Sequence, residues 1–224
     1  MAALFFSRWA LGTLAILAAG CGGERKIANL DSAGIAIVAF GDSITYGHGV
    51  PAEQTYPALL SEALGEEIIN AGRNGDTTAS GLQRLERDVL DHDPRIVIVE
   101  LGGNDFLNKV PREETFANLD QIVAQCIDAG AMVILVHIQF GFFSDKYLDE
   151  YEAIAERYGA LLVPDLMDGI FGRPSMMVDQ IHPNAEGQRV IAQRVGEALV
   201  DLLERSNKAR AAAADPGPSS PVAR

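Results

Sequence analysis

Residues 35–47 read IAIVAFGDSITYG. The first six positions, 35–40, form an unbroken apolar run that stops at a glycine. A strand with one wet face alternates apolar and polar residues, so an unbroken run fits a strand covered on both sides. Such a strand needs helices above and below it. The residues that follow, GDSITYG, carry more hydroxyl and carboxyl groups than a plain turn requires.

Working outward, the chain repeats this alternation. Helical apolar spacing over 55–64 ends at Gly65, a residue that stops helices. A short strand is expected at 67–70. A helix over 78–92 puts Leu82, Leu85, Val89 and Leu90 on one face, and a strand follows at 96–101. Next come a helix over 113–129 closed by Gly130 and a strand at 132–138. A helix over 146–158 closed by Gly159, a strand at 160–163 and a final helix over 185–203 complete the pattern. These β–α repeats predict a three-layer α/β/α sandwich around a five-stranded parallel sheet. Ligands of such sheets bind beyond the carboxyl ends of the strands, so a site is sought just after each strand.

Polar, glycine-bearing clusters stand there. After the first strand comes Gly41-Asp42-Ser43-Ile44-Thr45-Tyr46-Gly47, and after the second Asn70-Ala71-Gly72-Arg73-Asn74-Gly75-Asp76-Thr77. After the third comes Gly102-Gly103-Asn104-Asp105, and near the C-terminus Asp179-Gln180-Ile181-His182-Pro183-Asn184. Together they supply the parts of acyl transfer. A serine hydroxyl needs a base to take its proton. His182 suits that task, and Asp179, three residues earlier, can hold its imidazole. The N–H groups of Ser43 and Gly75 and the amide of Asn104 can stabilise an oxyanion.

GDSITYG, NGDTT, GGND and DxxHP resemble, in order, the four blocks of the SGNH or GDSL-type serine hydrolases. The resemblance spans about residues 35–203. It is nearest the branch of small thioesterases, lysophospholipases and arylesterases. That branch implies a flavodoxin-like sandwich with strand order 2-1-3-4-5, no metal and no cofactor. It implies a catalytic Ser43, His182 and Asp179, an oxyanion hole of Ser43, Gly75 and Asn104, and a small acyl-ester substrate. The G-x-S-x-G elbow of ordinary α/β-hydrolases is absent.

Each residue also has a plainer reading. Ser43 alone could be a helix N-cap, and Asn104 a turn cap. Asp42 is expected to brace its turn and Asp105 to be structural. His48 lies beside the nucleophile turn and suits either a loop position or a substrate contact. Phe140, Phe142 and Phe143, after the fourth strand, can form an apolar wall for an acyl chain or pack beneath a loop. Met176 and Met177 are adaptable apolar residues that could line the same groove.

The ends of the chain carry different signals. Residues 1–20 hold Arg8 and an apolar stretch too short to span a bilayer, which is the pattern of an export signal. Ala18-Ala19-Gly20-Cys21 resembles a lipoprotein processing site, with Ala18 where leucine is usual. Lipidation of Cys21 would anchor the protein to the bacterial cell envelope, facing the periplasm or exterior; plain secretion is the alternative. Residues 21–34 are then a tether, 35–205 the hydrolase domain and 206–224 a disordered tail rich in Ala, Pro and Ser. Cys126 is expected to be a buried small hydrophobe.

With 31 acids against 18 bases, the net charge is -13. Nucleic acid is therefore not an expected partner, since phosphate binding needs clustered Lys and Arg. A monomer is expected. Two other functions fit the fold less well: a carbohydrate O-acetyl esterase, and a non-catalytic ligand-binding lipoprotein.

Overall fold

The structure, a computed structural model, describes residues 26–139 and 146–214. Cys21, Phe140, Phe142 and Phe143 lie outside the described residues, as do the export segment and residues 215–224.

Five strands form one parallel sheet: β1 (Ala36–Gly41), β2 (Ile68–Gly72), β3 (Pro94–Glu100), β4 (Met132–Val136) and β5 (Leu161–Val163). Their spatial order is β2-β1-β3-β4-β5, as the resemblance implied. The pleat sends alternate residues to opposite faces. Ile37, Ala39, Ile96, Ile98, Met132 and Ile134 pack under α2 (Tyr56–Leu64) and α7 (Ala185–Ala214). Val38, Phe40, Val97, Val99, Val133 and Leu135 pack under α3 (Thr78–Asp88), α5 (Arg112–Asp128) and α6 (Lys146–Tyr158). This two-sided burial is why the strand sequences lack polar alternation. Cys126 sits in the second core, where burial pushes its thiol up to about 12.

Two short helices were not anticipated: α1 (Ser43–Tyr46), directly after β1, and α4 (Gly103–Leu107), directly after β3. Both are too brief to show a periodicity. The helix expected over 78–92 stops at Asp88 and gives way to a 3-10 turn, Leu90–His92. Among the described residues, no helix is long and apolar enough to cross a membrane.

The domain boundaries differ from those expected. The final helix does not end near 203, and its residues 206–214 are helical rather than tail. Ser206 is buried, and its hydroxyl donates to the Leu30 carbonyl at 2.7 Å. The expected tether is likewise packed from Ile27 onward. Ile27 lies in the core, and the Ala28 N–H donates to the Gly159 carbonyl at 2.9 Å. Asn29, at φ 55°, donates its amide to the carbonyls of Ile127 (2.8 Å) and Ala131 (2.9 Å). Asparagine tolerates this left-handed backbone better than other residues with a side chain. Apolar periodicity missed these contacts because they are made by hydroxyl and amide groups.

If residues 27–32 belong to the folded unit, Asn29→Ala should strand two carbonyls and strain the backbone. Urea denaturation should show a loss of about 1–3 kcal/mol. A loss below about 0.5 kcal/mol, the level of an ordinary surface change, would return this segment to the tether.

Candidate active site

The site lies at the carboxyl ends of β1, β2 and β3. Asp42 caps α1, its Oδ1 accepting the Ile44 N–H at 2.9 Å. That cap leaves Ser43 as the first residue of the helix, largely buried. Ser43 Oγ lies 3.0 Å from His182 Nε2, and His182 Nδ1 lies 2.7 Å from Asp179 Oδ2. With Nδ1–H donating to the carboxylate, Nε2 is the free acceptor for the serine proton.

Asp179 and His182 come from one tight loop before α7. Met177 and Pro183 form an antiparallel bridge, and the Val178 N–H donates to the His182 carbonyl at 2.8 Å. Asp179 Oδ1 accepts the N–H groups of Ile181 (2.7 Å) and His182 (2.8 Å). The His182 imidazole foremost, then these two N–H groups, hold the Asp179 carboxyl well below the usual carboxylate range. The acid is therefore ionised and its orientation is fixed from both oxygens.

The remaining blocks meet at the same rim. Gly75 sits at φ 79° in the turn after β2, a conformation that favours glycine. Asn104 Nδ2 donates to Asp42 Oδ2 at 3.0 Å and to the Asp76 carbonyl at 2.9 Å. Both amide protons are thus engaged, so an oxyanion gains one only by sharing or displacing a partner. Asp105, fully buried, accepts the Thr78 N–H at 2.8 Å and hydroxyl at 2.6 Å, tying this turn to α3. Met176 is half-buried and packs against the core on the α7 side.

Several residues that hold the site escaped the reading of the sequence. Gln188, fully buried on α7, accepts the Tyr56 N–H at 2.8 Å and donates to the Ile44 carbonyl at 3.0 Å. Arg84 donates to the carbonyls of Ala71 (2.9 Å) and Gly41 (3.0 Å) and pairs with Asp76. Glu100, the last residue of β3, is 0% exposed. Its Oε2 accepts the Thr45 hydroxyl at 2.7 Å, and Thr45 Oγ1 lies 3.0 Å from the Tyr56 hydroxyl. A Cβ at Gly41 would stand 2.7 Å from this carboxyl and 2.1 Å from Thr45 Oγ1, so only glycine fits. A carboxylate closing an otherwise apolar strand is itself a signal, because buried acids are rare without a task.

Glu100 and Asp42 form a buried acid pair beside the Ser43 turn. Burial and then the Asp42 charge push the Glu100 carboxyl well above its ordinary value. Burial likewise raises Asp42, from 3.8 to about 6. Glu100 Oε1 meets no N–H or O–H donor among the described residues. A proton on Glu100, shared with the Asp42 side chain, removes the cost of leaving a charged oxygen there.

Residues 39–190 match the GDSL-like lipase/acylhydrolase family. The chain is 34% identical over 178 residues to an arylesterase of Vibrio mimicus, covering 75% of this chain and 89% of that protein. It is 32% identical over 179 residues to thioesterase 1/protease 1/lysophospholipase L1 of Escherichia coli strain K12, covering 76% and 86%. The crystal structure of TesA superposes with a TM-score of 0.70 at 31% identity, covering 75% of this chain and 100% of that one.

The acid pair has a measurable consequence. Folded Asp42 keeps its proton to about 6, whereas an unfolded aspartate releases it near 3.8. The folded state binds more protons in that window, so stability in urea should fall as pH rises from about 4 through about 6 and beyond as Glu100 titrates. Asp179 and Asp88, held low, act in the opposite sense only at lower pH. Glu100→Gln should flatten the upper part of the decline and remove a protonated-carboxyl C=O band from the infrared spectrum at neutral pH. A decline and a band that both persist in that variant would refute a neutral Glu100.

Proposed function

The chain belongs to the GDSL-like lipase/acylhydrolase family and is an ester hydrolase, and from that premise we propose that it works through Ser43, His182, Asp179 and a covalent acyl-enzyme. The observation that carries this reading is the Ser43–His182–Asp179 chain, with contacts of 3.0 and 2.7 Å.

In this mechanism Ser43 Oγ attacks the ester carbonyl carbon while His182 Nε2 takes the hydroxyl proton. Asp179 stabilises the imidazolium that forms. The carbonyl oxygen becomes an oxyanion facing the N–H groups of Ser43 and Gly75, with Asn104 releasing one amide proton toward it. Collapse breaks the bond to the alcohol, which leaves with the proton held by His182. Water then attacks the acyl-Ser43 carbonyl, giving its proton to His182, and the acid departs.

The segments that bear these groups also expose apolar side chains: Tyr46 on α1, Phe106 and Leu107 on α4, and Val178 beside Asp179. Phe106 meets Tyr147 edge-on at 5.8 Å. These surfaces favour an acyl chain over a sugar as the bound group, with Met176, Phe140, Phe142 and Phe143 as further contacts. Export by residues 1–20 and lipidation at Cys21 would place this activity on the cell envelope.

The test is hydrolysis of p-nitrophenyl esters from acetate to palmitate by protein lacking residues 1–21. Ser43→Ala and His182→Ala should each lower kcat by about 10⁴-fold or more, and Asn104→Ala by roughly 10²–10³-fold. Ser43→Ala should also lose labelling by a fluorophosphonate probe. Labelling that survives would remove Ser43 from its role. Turnover confined to acetate would favour a carbohydrate O-acetyl esterase, and none at all a binding protein.

A further inference from the structure

His48 has no part in that mechanism, yet its ring lies 4.2 Å from the His182 ring, centroid to centroid, at an interplanar angle of 37°. It stands on the loop after α1, exposed to solvent. Asp179 is exposed and His182 partly so. One donor atom from each of His48, Asp179 and His182 lies within 4.8 Å of the others. Two imidazoles and a carboxylate are a donor set that zinc takes in hydrolytic enzymes. Tetrahedral zinc at about 2.05 Å from its ligands separates them by about 3.3 Å. Closing the difference takes a turn of the exposed His48 ring and an exchange of part of the Asp179 hydrogen bonding for the cation.

We propose that His48, Asp179 and His182 form an inhibitory binding site for a divalent transition cation, of which Zn²⁺ is the representative. The inhibition rests on the proposed role of His182 as base; the binding does not. A cation on His182 Nε2 occupies the lone pair that would take the Ser43 proton. A cation on Nδ1 instead separates the imidazole from Asp179. Either contact stops the first step, and a chelator that removes the cation restores it. The donor set also sets the selectivity. Imidazole nitrogen suits Zn²⁺ and Cu²⁺, whereas Mg²⁺ prefers oxygen ligands and keeps its water. On this proposal His48 is the residue that admits metal control to the site.

The experiment separates binding from catalysis. Calorimetric titration of Zn²⁺ into the Ser43→Ala protein should show a single site. Adding His48→Gln should weaken it at least ~10-fold, the scale on which zinc sites respond to lost support. Adding His92→Gln, which alters an exposed histidine at the opposite end of the sheet, should leave it unchanged. In the Ser43 protein, Zn²⁺ should abolish ester turnover reversibly and Mg²⁺ should not. His48→Gln should raise the half-inhibiting Zn²⁺ concentration by the same factor, each protein being compared with its own metal-free rate. Equal Zn²⁺ affinity with and without His48, or no binding, overturns the site. Binding that leaves turnover unchanged overturns the inhibition. Absence of ester turnover without metal would count against the hydrolytic reading and leave the binding result to decide the site.

Discussion

The Ser43–His182 hydrogen bond joins residues 139 positions apart. It forms only if the loop before α7 is held at a fixed distance from the carboxyl end of β1. The sheet alone does not ensure this, because the loop follows β5 at one edge while Ser43 stands beside the second strand from the other. Gln188 supplies the tie. Its amide bridges the Ile44 carbonyl and the Tyr56 N–H from the first turns of α7. Asn184, four residues earlier, accepts the N–H groups of Glu186 and Gly187 and donates to the Ser175 carbonyl. The start of α7, the His182 loop and the Ser43 turn thus form one hydrogen-bonded unit. The proposed mechanism needs reacting groups held to within a few tenths of an ångström, and these amides are what ties the two turns together.

Below that unit lies a polar layer that a stability-only fold would not contain. Glu100, Asp42, Thr45, Tyr56, Arg84 and Asp76 are all buried. Each charge among them costs free energy to desolvate, and burial raises the affinity of the Glu100 and Asp42 carboxyls for a proton in response. In exchange, Asp42 keeps two oxygens aimed at fixed donors, the Ile44 N–H and the Asn104 amide. The Ser43 turn and Asn104 are thereby fixed relative to one another.

Much of this was legible in the sequence, and the reasons are specific. Five apolar runs between amphipathic segments identify the sheet because two-sided burial excludes polar residues from it. Ser43, Asp179, His182, Gly75 and Asn104 could be singled out as candidates because each stands in a polar cluster just past a strand or before the last helix. What stayed hidden was long-range and polar. Gln188 looks like any helix-surface glutamine until α2 is packed beside it. Arg84 looks like a solvent charge until the turn after β2 folds over it. Asn29 and Ser206 meet partners about a hundred or more residues away, and no local period records such pairs. The stretch bearing Phe140, Phe142 and Phe143 was readable as aromatic, but composition alone does not say what aromatics touch.

The docking of residues 27–32 has a bearing on how the molecule meets its surroundings. Asn29 reaches the Ala131 carbonyl just before β4, and Ala28 reaches Gly159 just before β5. The polypeptide therefore enters the domain at the amino ends of the strands, whereas Ser43 and His182 stand at the carboxyl ends. Were the protein held through the proposed anchor at Cys21, the rim bearing Ser43 and His182 would point away from that anchor. Under that proposal, esters dissolved in the surrounding fluid would reach Ser43 freely, while esters embedded beside the anchor would face the opposite pole of the protein.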